Sequence, residues 1–152
     1  MSTRPKARLV WSCAIVVLVA VVVIKFTLYD SLRLARFARR IAGADRIVAT
    51  NWEASVSMTI TGDDAKKVVR AISSAGSGRP PLGMDWANIY GVNARFYRGT
   101  EVLGEIEMDG GGLFLIHYHE PPFRDDTGVL LRVLYKPLSE LYKAERMKSE
   151  SQ

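Results

Sequence analysis

The chain has 152 residues, 48% of them hydrophobic and 24% charged, with a formal net charge of +5. That is enough for one small domain plus an anchor or tail, and it excludes a collagen-like chain, a mostly disordered chain and a multidomain enzyme. The charge is unevenly placed: residues 1–43 carry eight Lys and Arg against Asp30 alone, a net +7, whereas residues 44–152 carry thirteen against fifteen acidic residues, a net −2. A slightly acidic domain has no electrostatic footprint for phosphate backbones, so no nucleic-acid partner is expected.

Residues 1–8 form a basic tail with Arg4, Lys6 and Arg8. An uncharged apolar run follows from Leu9 to Ile24, and extension through Lys25–Tyr29 gives the length needed to span a bilayer. Trp11 and Tyr29 fall near its two ends, where amphipathic rings prefer the interface, and Lys25 can snorkel to the headgroups. A cleaved signal peptide is the competing reading. Ile24–Leu28 is bulky throughout and offers no small-x-small site, so residues 9–29 are expected to be an uncleaved single transmembrane anchor. Basic residues flank the run on both sides. An eight-residue tail is the poorer candidate for translocation, so the reading taken is a cytoplasmic N-terminus and an extracytoplasmic domain. Cys13 is the only cysteine, so it reports nothing about redox compartment.

Residues 30–43 read as a basic amphipathic juxtamembrane helix. Leu34, Phe37, Ala38 and Ile41 follow the i, i+3, i+4, i+7 spacing, with Arg33, Arg36, Arg39 and Arg40 away from that stripe. Asp30 or Ser31 is the expected N-cap and Gly43 the C-terminal stop. The helix is expected to lie on the bilayer surface with its arginines at anionic lipid phosphates. The rival placement packs the same stripe on the domain's own sheet.

The expected α+β domain covers residues 44–147. Arg46–Thr50 and Ser55–Ile60 read as strands, the second alternating Val56, Met58 and Ile60 with Ser55, Ser57 and Thr59. Thr61-Gly62-Asp63 turns and caps a second helix that buries Ala65, Val68, Val69 and Ile72 and ends at Gly76, and residues 77–83 read as a loop. Asn88–Tyr97 and Thr100–Met108 alternate about an Arg98-Gly99 turn, and Gly110-Gly111-Gly112 leads into a strand Leu113–His119. Gly128–Tyr135 fits either strand or helix. Helix is preferred, because Asp126 or Thr127 precedes it as a cap, and Pro137 then starts a last helix carrying Leu138, Leu141 and Tyr142. Residues 148–152 are expected to fray. The order implies a two-layer domain: an antiparallel sheet of about five strands with helices on one face.

His117 and His119 project from one face if their segment is a strand, as two nitrogen ligands for a transition metal, with Glu120, Asp125 and Asp126 nearby in sequence. The same group supplies a base and an orienting carboxylate for catalysis but lacks a nucleophile. The glycine run matches no phosphate loop, and no cofactor is expected. The Pro-rich loop from Arg79 to Trp86 places a tryptophan where it can anchor a protein partner. The leading functional expectation is a non-enzymatic binding module on a single-pass anchor, with the bilayer and a protein as partners. The alternative is a small metal-binding protein or metal-dependent enzyme centred on His117 and His119.

Overall fold

The computed structural model describes residues 4–51, 53, 55–78, 91–116 and 122–151. Two compact units divide the chain after Arg33. Helix α1 runs Arg4–Ile41, and its turns up to Arg33 make the first unit. Every side chain from Cys13 to Ile24 is exposed. The helix is long and apolar enough to cross a membrane, with mean hydropathy 2.3 over its most apolar window.

One helix stands where an anchor and a separate helix from Asp30 were expected. No glycine or proline lies between Lys25 and Tyr29, so nothing interrupts the backbone ladder. Asp30 is therefore interior to the helix, 3.7 Å from Nη1 of Arg33 one turn on, and not a cap.

The second unit starts with the last two turns of α1. Strands β1 (Arg46–Asn51), β2 (Ser57–Thr61), β3 (Gly76–Ser77), β4 (Val92–Arg98), β5 (Glu101–Met108), β6 (Leu113–Leu115) and β7 (Phe123–Arg124) form one sheet in the order β2-β1-β4-β5-β6-β7-β3. All its pairings are antiparallel. Helix α2 (Gly62–Ser73) follows edge strand β2 and leads to β3 at the opposite edge. A π-helical turn at Leu131–Tyr135 runs into α3, Lys136–Glu150. The unit is thus α+β, with helices packed against an antiparallel sheet.

Register puts Ile47, Phe96 and Gly104 in one row across β1, β4 and β5, and Ala49, Ala94 and Ile106 in the next. These residues face the helices. Leu34, Phe37 and Ile41 of α1, Val68 and Ile72 of α2, and Leu130, Leu134 and Leu138 complete one hydrophobic cluster. The α1 stripe expected on the bilayer is buried here, with Phe37 2% and Ile41 0% exposed. A sheet face at hand takes up apolar side chains that a headgroup layer would only partly cover. Gly104 permits this contact: a Cβ there would lie 2.6 Å from Cε2 of Phe37 and 3.3 Å from Cγ2 of Ile41. The Phe37 ring meets Phe96 edge-on, centroids 6.1 Å apart.

Two further differences concern the C-terminal helix. Pro137 lies in the first turn of α3, as expected, but α3 continues a helical run that begins at Val129 and is not a separate helix. The π turn accommodates the proline. Lys136 donates its backbone N–H to the Leu131 carbonyl five residues back, widening the coil where the proline ring would meet the carbonyl of Val133. The buried face also differs: Leu138 is 1% exposed and Leu141 44%. Helix α3 continues to Glu150, and Ser151 Oγ donates to the carbonyls of Met147 and Lys148.

Candidate interaction site at the edge of strand β5

The β4–β5 hairpin is the centre of the sheet, and its turn is tied to the start of the domain. Gly99 takes φ +58°. Its N–H donates to Asp45 Oδ2 at 2.9 Å, and its carbonyl accepts from Arg46 Nη2 at 3.0 Å. The β4–β5 ladder shifts between Phe96 and Tyr97, which face Gly104 and Val102. Leu103 is the extra residue of this β-bulge and is turned into the core, whereas Val102 stays exposed.

The face of β4 and β5 away from the helices is polar. Arg95 Nε donates to Glu105 Oε2 at 2.6 Å, and Asn93 Nδ2 donates to Oε1 of the same carboxylate at 3.2 Å. Burial opposes ionisation of Glu105, but the two hydrogen bonds and the Arg95 charge outweigh it and hold the group below the usual carboxylate range. The same bond and charge raise Arg95. Glu107, two residues on and opposite Asn93, is raised by burial and then by the neighbouring Glu105 charge.

On its other side β5 is paired, among the described residues, only in part. β6 faces Glu107 and Met108 with Leu115 and Phe114, and the chain bends at Ile116. Asp109 donates its N–H to the Leu113 carbonyl at 2.9 Å. By strand alternation the backbone groups of Glu107 and Glu105 point the same way. Glu107 meets Leu115, while no described strand lies opposite Glu105. A notch of about 390 Å³ occupies that place, with Arg40, Leu103, Glu105, Glu107, Leu115 and Ile116 among its walls. Arg40 closes one side, its guanidinium 5.4 Å from the Phe37 ring centre. A second groove of about 400 Å³ lies along α3, between Tyr135, Leu138, Tyr142 and the ends of β1 and β4 at Asn51 and Val92.

The residues singled out in the sequence are distributed differently. His117, His119 and Glu120, and the loop residues Arg79 and Trp86, lie outside the described residues. Among the described residues no group of three acidic, His or Cys side chains is placed to hold a metal. Asp125 is 5% exposed. Its Oδ1 accepts from the Thr127 N–H and hydroxyl, and Oδ2 from the Leu130 N–H at 2.7 Å. It shares the start of the helix with Thr127, one of the two expected caps, whose Oγ1 accepts from the Val129 N–H at 3.3 Å. Asp126 instead lies 3.4 Å from Arg124. Arg36, Arg39 and Arg40 are exposed, while the Arg33 side chain is 11% exposed. Glu105, Glu107 and Arg95 were not singled out, although carboxylates at i, i+2 in an alternating strand carry a sequence signal of a shared face. Comparison with models of known families, with curated proteins and with solved structures gave no match to this chain.

Proposed function

We propose that this is a single-pass membrane protein whose α+β domain is a non-enzymatic interaction module, and that the β5 edge is its contact surface. The observation that supports this reading is a notch walled by charged residues beside a central strand whose pairing, among the described residues, is incomplete, since unpaired edge groups are what added strands bind. The exposed apolar turns of α1 from Cys13 to Ile24 support the anchor. The basic tail before them favours a cytoplasmic N-terminus and a domain on the other side. Arg36, Arg39 and Arg40, exposed on α1, are suited to lipid phosphates.

The test uses the full chain in its native membranes. A photoreactive residue at Val102, beside the notch, is expected to give a discrete protein adduct; the same residue at Lys66, exposed on α2, is not. Equal labelling at both positions, or none at either, rejects the module reading. Release of the chain by alkaline carbonate rejects the anchor. Protease resistance of the domain in sealed, oriented vesicles assigns its side of the membrane.

A further inference from the structure

Among the described residues, the two ends of the sheet are built differently. β3 at one end is two residues long, too short to receive a strand. β2 at the other is five residues of Ser, Met, Thr and Ile, with no charge, proline, glycine or bulge to guard it. We infer that β2 pairs antiparallel with β2 of a second copy of this chain, about a two-fold axis at Thr59. The pairing is separate from the contact proposed at β5 and rests on that reading only for the anchor, which holds both copies in one bilayer.

The backbone direction comes first. Asn51 donates its N–H to the Val56 carbonyl at 3.2 Å, so by alternation the backbone groups of Met58 and Ile60 meet β1, and those of Ser57, Thr59 and Thr61 point away from it. The side chains of these three residues are exposed, whereas Val48 and Thr50, on the same face of a strand paired on both sides, are half-buried. The described chain stops at Gly78, bonded to the Pro122 carbonyl beside β7, and resumes at Gly91 before β4; both points lie across β1 from this edge. Gly62, with φ +64°, turns the chain into α2 directly after Thr61 and takes Asp63 and Asp64 out of the line of the strand.

A second copy is the occupant that fits. With Thr59 opposite Thr59, Ser57 meets Thr61 in both directions on the outer face, and Met58 meets Ile60 on the helix face. Thr–Thr and Thr–Ser pairs hydrogen-bond across strands, no like charges meet, and the outward backbone groups of all three residues are joined. Met58, half-buried at the margin of the core cluster, gains an apolar neighbour. A charged segment gains less, since β2 offers it no counter-charge. The contact is isologous and closes at two copies, because it uses the one described end strand long enough to pair. Five residues per copy are far fewer than the roughly 20–30 of a stable soluble interface, so the pair depends on the effective concentration that a shared bilayer gives.

The experiment uses the full chain in liposomes, with Cys13→Ser, single cysteines at exposed positions and a thiol cross-linker spanning about 5 Å. Thr59→Cys is expected to cross-link to itself, and Ser57→Cys to Thr61→Cys when the two chains are mixed. Ser57→Cys alone, Thr61→Cys alone and Lys148→Cys on α3 should cross-link at least about fivefold less. In the Ser57→Cys and Thr61→Cys mixture, Thr59→Lys on both chains, or Thr59→Glu on both, sets like charges opposite. Either should cut the yield about fivefold and leave the melting temperature of the domain unchanged, and Thr59→Lys on one chain with Thr59→Glu on the other should restore the yield. The inference is overturned if Thr59→Cys cross-links no better than Lys148→Cys, if Ser57→Cys alone matches the mixture, or if the mixed charges fail to restore the yield. Carbonate release of a chain that still cross-links at Thr59→Cys removes the anchor and keeps the pairing. A retained chain that fails to cross-link there does the reverse.

Discussion

Individual side chains divide between those that hold the fold and those that present a surface. Asp125 belongs to the first kind, with both oxygens committed to the start of the C-terminal helix. Asp125→Ala leaves the buried Leu130 N–H without its acceptor and should cost about 1–3 kcal/mol in urea denaturation, with Asp125→Asn costing less. Gly104 is the second case. Gly104→Ala pushes a methyl into the Phe37 ring and should cost about 1–3 kcal/mol. Adding Phe37→Leu should make the pair less destabilising than the sum of the single changes, and an additive double-mutant cycle would show that the two residues are not in contact. Glu105 and Glu107 carry opposite pH dependences. Glu107, raised in the folded chain, destabilises it when ionised. That penalty is absent below the unfolded carboxylate pKa, grows as pH rises and is complete above the folded value. Glu107→Gln should therefore stabilise the domain at neutral pH, by less than about 1 kcal/mol after solvent screening, and the gain should vanish in acid. Glu105, lowered, contributes stability above its unfolded pKa, and that contribution is lost as pH falls through the folded value. Melting curves of Glu105→Gln and Glu107→Gln across the acid range check both signs.

Among the elements, the end of α1 is the part whose role most depends on the rest of the domain. Leu34, Phe37 and Ile41 are buried in the core cluster. At roughly 1.5–3 kcal/mol for each fully buried large side chain, their loss approaches the whole stability of a small domain. A chain of residues 44–152 should consequently lack a cooperative melt, whereas residues 30–152 should fold and melt cooperatively by circular dichroism. Equal stability of the two would mean that these turns are dispensable. The π turn before α3 shows a different dependence, of a helix on one proline. Pro137 lies within a continuous helical run, and the widened turn at Leu131–Tyr135 spares the carbonyl of Val133 from its ring.

For the molecule as a whole, burial of the α1 stripe bears on how the proposed membrane attachment would work. With the apolar face taken up by the sheet, the end of α1 offers a lipid surface its exposed arginines Arg36, Arg39 and Arg40. Each contributes about 1 kcal/mol at an anionic surface, and salt screens it. Flotation with anionic vesicles should thus be slight at physiological salt and abolished at high salt, while the full chain, with its exposed apolar turns, should remain with the membrane under both conditions. Salt-resistant flotation of residues 30–152 would show that the stripe enters lipid.

Local patterning by itself determined the apolar segment, the α1 stripe, the buried face of α2 and the two alternating flanks of the β4–β5 hairpin, because each follows from a period of 3.6 or 2 within a short window. The same pattern did not say where the α1 stripe goes. Leu34, Phe37 and Ile41 suit a lipid surface and a sheet equally well, and only the presence of Gly104 across from them, some sixty residues later, admits the ring of Phe37 to the sheet. The pattern offered Asp126 or Thr127 as the cap of the last helix; the folded chain uses Thr127 for the Val129 N–H and Asp125, one residue before that pair, for the Leu130 N–H. Strands β3 and β7, of two residues each, carry no readable period and exist through their partners, Gly76 with Arg124 and Ser77 with Phe123. The interaction edge was hidden for a related reason. Which backbone groups of β5 are paired by β6 depends on the register of the two strands, and strand pairing is a long-range property that no local pattern encodes.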